Sequence, residues 1–256
     1  MLRMQTTLGL HLSAIAVFLF TLSGCVSEGA AFGLGAGSLH ETVMTEKDKN
    51  APPPVYGPPQ IIYRIDDNRY FTLENYTRCE DGQTFYNNKK KGIHVKILDG
   101  SGYLFKGRLF WLSTRDDYLA FPATINTHYA ACMGSDKGCM NAVIVTVDGG
   151  KTLNGVEYGN YTQDPTGDTE DYDMLVTNEG FYMINYWDGN RTPTNGSVDR
   201  WKFHPDEKAA KERGYPGVSG PVYQREFEMD VSHVIQEKMV CDRAMEPVQP
   251  SGAKIR

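Results

Sequence analysis

The chain lacks the local signatures of the common hydrolases and nucleotide enzymes. It has no G-x-S-x-G elbow, no H-E-x-x-H pair and no Walker phosphate loop, so the strained serine turn, the helical zinc pair and the anion-cradling loop are not written locally. Histidine is sparse: those of the folded body, His94, His128, His204 and His233, are far apart, and each reads as a surface or satisfied core histidine. A basic excess is also missing. Lys and Arg number 26 against 32 Asp and Glu, a net charge of -6, which excludes nucleic acid as a partner because phosphate binding needs a basic surface. The acidic balance favours solubility. Long apolar runs are limited to one, Leu12 to Leu22, shorter than the roughly 20 residues a membrane-spanning helix requires. Helical patterning is clear only in "HPDEKAAKERG", with Pro205 at a first helical position and Gly214 as the stop.

What is present begins with that apolar run. Arg3 precedes it, and small residues follow it in "LSGC", ending at Cys25. The charged n-region and apolar h-region are those of a secretory signal, and the tetrapeptide resembles the lipobox of bacterial lipoproteins. That resemblance implies cleavage after residue 24 and acylation of Cys25, with several acyl chains supplying stable anchoring. Val26 and Ser27 follow, with no adjacent aspartate, which by the sorting rule of lipoproteins implies the outer membrane, the domain facing the periplasm. Residues 25–59 are rich in Gly, Ala and Pro ("GAAFGLGAGS", "APPPVYGPPQ") and read as a semi-extended tether.

Four further cysteines remain, Cys79, Cys132, Cys139 and Cys241, an even number in a compartment where disulfides form. Three connectivities are open. The short Gly-containing segment "CMGSDKGC" can fold back to join Cys132 with Cys139, which would leave Cys79 with Cys241. Their spacings match no familiar four-ligand zinc pattern, and no metal or cofactor is expected.

Residues 60–242 carry short runs rich in Ile, Val, Tyr, Phe and Thr, punctuated by Gly, Asn and Asp: "IIYRI", "RYFTLENY", "GIHVKIL", "YLFKGRLFWL", "YLAFPA", "NAVIVTV", "MLVTNEGFYMINYW" and "YQREFEMDV". Such runs predict strands, with hairpins at "LDGSGYLF", "VDGGKTL" and "TNEGFYM". The expected fold is mainly β, a single domain of antiparallel hairpins and meanders, sandwich-like or degenerate propeller-like, with one short helix and a flexible tail over 243–256. "TVDGGKTL" resembles the Asp-box, a hairpin in which the Asp caps turn amides and the Thr locks the turn. One copy is present, and blades of ~40 to 45 residues leave room for about four at most. The loop "DPTGDTEDYD", with Asp164, Asp168, Glu170, Asp171 and Asp173, holds enough oxygen ligands to raise the question of calcium but not the EF-hand order, so it reads as a solvated loop. Fifteen tyrosines are more than a core of this size is expected to bury, and tyrosine suits protein-binding surfaces; the surface itself is not indicated by sequence.

"PPPVYGPPQIIYRIDDNRYFTLENYTRCEDGQTFYN" and "DKGCMNAVIVTVDGGKTL" resemble immunity lipoproteins paired with type VI secretion phospholipase effectors of the third lipase-effector family. The resemblance is strongest from Pro52 to Leu153. It implies a non-enzymatic protein that binds and neutralises a cognate phospholipase effector delivered by a sister cell, anchored by lipid at the outer membrane. The alternative is a generic outer-membrane lipoprotein with a structural or assembly role.

Overall fold

The computed structural model describes residues 52–124, 137–192, 195–204, 217–224 and 230–252. All belong to the second of two units into which the chain divides, Gly33–Arg256. The predicted helix at 205–214 and the predicted strand residues 225–229 lie outside the described residues, as do Cys25, His128 and Cys132.

Three sheets make up the fold. A four-stranded antiparallel meander contains β1 (Gln60–Arg64), β2 (Arg69–Glu74), β3 (Gln83–Asn88) and β4 (Ile93–Leu98). The chain then contributes β5 (Arg108–Trp111) to a second sheet before building a third from β6 (Leu119–Ala123), β7 (Cys139–Thr146) and β8 (Asn154–Thr162). A four-residue helix, α1 (Pro165–Asp168), leads back to the second sheet, which β9 (Tyr172–Val176), β10 (Gly180–Tyr186), β11 (Gly196–Phe203) and β12 (Val218–Gln224) complete. Its order is β12-β11-β10-β9-β5, antiparallel except that β5 runs parallel to β9. Among the described residues the protein is therefore mainly β with one short helix, and residues of all three sheets share one core.

Side-chain chemistry explains the placement of each strand. β7 and β9 are central, and both are almost continuously buried; β8, an edge strand, alternates, hiding Val156 and Tyr158 while exposing their neighbours. Pro122 sits in β6 at a sheet edge, where a missing N–H is tolerated. At the centre, the Phe71 ring of β2 lies 4.6 Å from Phe121 of β6, 5.2 Å from Trp111 of β5 and 5.6 Å from Tyr86 of β3, so one ring touches all three sheets. A second apolar cluster covers the other face of the large sheet, where Phe110, Leu175, Tyr182, Ile184 and Val198 meet Val231 and Val234.

The three turn predictions separate here. "VDGGKTL" joins β7 to β8 and "TNEGFYM" joins β9 to β10 as hairpins, but "LDGSGYLF" does not. After β4 that segment enters a 3₁₀ turn, Gly102–Leu104, anchored by the Ser101 hydroxyl donating to Cys79 O and the Gly102 amide donating to Thr84 Oγ1 at 2.9 Å. A Cβ on Gly102 would lie 2.4 Å from the Phe121 ring, so the chain passes close over the core and crosses to another sheet.

Residues 230–252 return as a strap. The Leu109 amide of β5 donates to Glu237 O at 2.7 Å, and the Val240 amide donates to Ile62 O of β1 at 2.9 Å, which links the edges of two sheets. Gln236 also donates to Ile62 O and accepts from the Arg64 amide. The stretch read as a tail from 243 is bonded to the body: Arg243 pairs with Glu80, Glu246 accepts from the Cys79 amide at 3.0 Å, and Gln249 exchanges two hydrogen bonds with the Val55 backbone. The last residues of the predicted tether are likewise held, because Gly57 donates to Tyr76 O and lies so close to the Tyr76 ring that a Cβ would sit 2.5 Å from it.

Candidate functional site

Where the strap crosses the 3₁₀ turn, a pocket of about 320 Å³ opens. Tyr103, Phe105 and Lys106 come from the segment between β4 and β5, Glu170 from the turn after α1, Arg191 from the loop after β10, and Lys238 and Met239 from the strap. Phe105 and Met239 are core residues and form apolar walls. Lys106 folds back so that its ammonium lies 3.3 Å from the centre of the Tyr103 ring and donates to Tyr103 O at 2.9 Å. Burial pushes its pKa down, opposed by Glu80 and Glu170 and aided by Arg243.

Beside the pocket lies a buried ion cluster. Asp173 of β9, 1% exposed, accepts from Arg108 Nε at 2.9 Å and Nη2 at 2.5 Å, and from Arg191 Nε at 3.2 Å. Two guanidiniums on one carboxylate, with Arg108 reaching Glu237 at 3.8 Å, tie the strap, β5, β9 and the loop after β10 into one wall. Arg191 also donates to Glu170 O. Burial, with the Asp173 charge next, pushes the Tyr186 phenol up to about 12. The cluster holds fixed charge at a pocket rim.

The positions singled out from sequence are distributed differently. Cys79 is bonded to Cys241, with Cα atoms 5.9 Å apart, which fastens the strap to the loop after β2; Cys139 is disulfide-bonded as well. His94 stacks on Phe85 and contacts Asn87, His233 pairs with Asp230 on the surface, and the His204 amide bonds Gly217 O; these three lie apart on different elements. In the Asp-box-like hairpin, Asp148 accepts from the Lys151 and Thr152 amides at 3.0 Å and from the Thr152 hydroxyl at 2.7 Å, while Gly149 and Gly150 take φ of +74° and +87°. That is a folding role.

The acidic loop does not act as one unit. Asp164 caps α1 through Gly167, Asp173 belongs to the arginine cluster, and Glu170 lines the pocket. Among the described residues, no group of three or more His, Cys, Asp or Glu converges to hold a metal. The expected tyrosine surplus is also smaller than composition suggested: Tyr63, Tyr76, Tyr86, Tyr158, Tyr172 and Tyr182 are buried, and among the described residues large aromatic exposure is confined to Tyr56, Tyr161, Trp187 and Tyr223. Three meeting sheets bury more ring area than the strand runs indicate one at a time. The pocket was not legible in the sequence, since its lining spans Tyr103 to Met239 with no local spacing to join them.

Comparison with known proteins gives one family. A family model described as T6SS Tli3 immunity protein matches residues 55–185, from just before β1 into β10. No curated protein matches the chain.

Proposed function

The chain belongs to the T6SS Tli3 immunity protein family, and from that premise we propose that it binds a type VI secreted phospholipase effector in the periplasm and neutralises it without chemistry of its own. The family match carries the reading, because immunity proteins act on a cognate effector and the match covers most of the three-sheet body. The sequence supports the proposed location: a lipobox-like "LSGC" ending at Cys25 and a Gly- and Pro-rich stretch before β1 suit a protein tethered beside the lipid that such an enzyme would attack. A rigid β body held by aromatic packing and a strap offers a preorganised binding surface, which lowers the entropy cost of association.

The test is to direct a cognate phospholipase effector to the periplasm of a sensitive strain, with and without this protein, and to follow lysis together with binding of the purified partners. Protection accompanied by a stable stoichiometric complex is the expected result. Protection without a complex would reject inhibition by binding, and a complete lack of protection would favour a generic envelope lipoprotein.

A further inference from the structure

We propose that the basic pocket beneath the strap receives a carboxylate side chain projecting from the effector, held by the ammonium groups of Lys106 and Lys238. The proposal rests on the immunity reading above and assigns that binding to one place on the molecule.

Lys106 is the main argument. Its ammonium is half-buried, spends one hydrogen bond on Tyr103 O, and forms no salt bridge with a carboxylate among the described residues. An ammonium has three donors, and a desolvated charge without a counter-ion is costly. The carboxylate best placed to neutralise it, Glu80, is already engaged by Arg243. Burial lowers the Lys106 pKa, which is how a cation kept from water and incompletely compensated behaves. Lys238, exposed on the strap, lines the same pocket and makes no salt bridge among the described residues. Arg191 differs: Asp173 and Glu170 O hold it, so it contributes potential and shape.

The surroundings favour a single protruding acid. Phe105 and Met239 wall the pocket with apolar surface, and a carboxylate entering there has both lysines in the lining, the half-buried Lys106 among them, where charge attraction is stronger than in bulk water. A membrane surface is the competing source of anions. Glu170 in the pocket wall and Glu237 beside Lys238 on the strap, however, present negative charge to any flat array of phosphates, and the whole chain is acidic, with net charge -6. A narrow side chain can pass between those carboxylates, whereas a lipid plane meets both.

Binding of purified effector to the full-length protein in detergent would be measured for wild type, Lys106→Met, Lys238→Glu and Lys90→Glu. Lys90 lies on the β3–β4 turn, at the other end of β3 from the turn that carries Glu80, and reproduces the charge change of Lys238→Glu away from the pocket. Thermal melting of each variant keeps loss of fold separate from loss of binding. The expected result is a Kd raised at least about thirtyfold by Lys106→Met and about tenfold by Lys238→Glu, with Lys90→Glu near wild type. Reversing one Asp or Glu of the effector to Lys should then restore binding to Lys238→Glu. Wild-type affinity in both pocket variants would overturn the pocket and leave the immunity reading standing; no complex with wild-type protein would remove both. Equal weakening by Lys90→Glu would reduce the effect to net charge and reject the pocket. Variants that lose binding to phosphatidylglycerol vesicles but keep the effector would assign the pocket to the membrane instead.

Discussion

Phe71 and Asp116 show how single side chains organise this protein. Phe71 is fully buried where the three sheets meet, so Phe71→Ala should open a cavity that none of them can close alone. The expected loss is about 3–5 kcal/mol, measurable by denaturant unfolding. Asp116 is a polar counterpart, accepting from Tyr86, Asn88 and Lys91. Burial works to raise its pKa, but Lys91, Tyr86 and Asn88 prevail and hold the carboxyl below its ordinary value. Asp148 is lowered by the same balance, burial opposed by the Thr152 and Thr146 hydrogen bonds. A carboxyl whose folded pKa lies below its unfolded value stabilises fully above the unfolded value, about 4, and loses that contribution as pH falls through the folded one. Asp116→Asn should therefore cost about 1–3 kcal/mol at pH 7 and flatten the decline in stability below about pH 4. Urea midpoints measured from pH 7 to pH 2.5 would check both; an unchanged acid limb would reject the assigned role.

At the level of elements, the strap is the device that joins sheets. β1 and β5 are edge strands of different sheets, and the strap backbone satisfies a donor on one and an acceptor on the other. The Cys79–Cys241 bond closes a separation of 162 residues, worth about 4 to 5 kcal/mol in the chain-entropy model. The expected Cys132–Cys139 bridge closes a far shorter loop, worth about 2 to 3 kcal/mol. Cys241→Ser should consequently lower the melting temperature more than Cys139→Ser, and should expose residues 230–252 to limited proteolysis while the sheets persist. Non-reducing peptide mapping that joined Cys79 to Cys132 would contradict both expectations. The Asp-box-like hairpin is a smaller device of the same kind. Asp148→Ala removes the acceptor of four donors, and a loss of about 1–2 kcal/mol is expected by thermal unfolding.

For the whole molecule, the proposed function requires a binding domain to stand where a membrane-active toxin would arrive. Cys25→Ser is expected to release the protein from membranes or leave an unprocessed precursor, and fractionation with detergent extraction reads this directly. Wild-type protein found entirely soluble in the periplasm would remove the anchor. Because the proposed mechanism is binding, protection by the soluble variant should fall only as far as local concentration falls, while its affinity for the effector stays at the wild-type value. A separate loss of affinity would mean that the anchor does more than place the domain.

Strand-forming runs and the Asp-box-like hairpin could be read from the chain alone, because each depends on neighbours within about ten residues, and the family resemblance could be read from motifs spread over residues 52–153. β3, β8 and β11 were harder to see: "QTFYNN", "NGVEYGNYT" and "GSVDRWKF" mix Asn, Gly or charge into their alternation, and pairing with adjacent strands outweighs that weak local preference. Which sheet β5 enters, how many tyrosines are covered, and the route of residues 230–252 were decided by tertiary structure. So was the pocket, whose Lys106, Arg191 and Lys238 meet only because the strap crosses a 3₁₀ turn. Local sequence sets periodicity and turn chemistry; burial of a shared core sets which distant surfaces come together, and that sum over the whole chain is not present in any one segment.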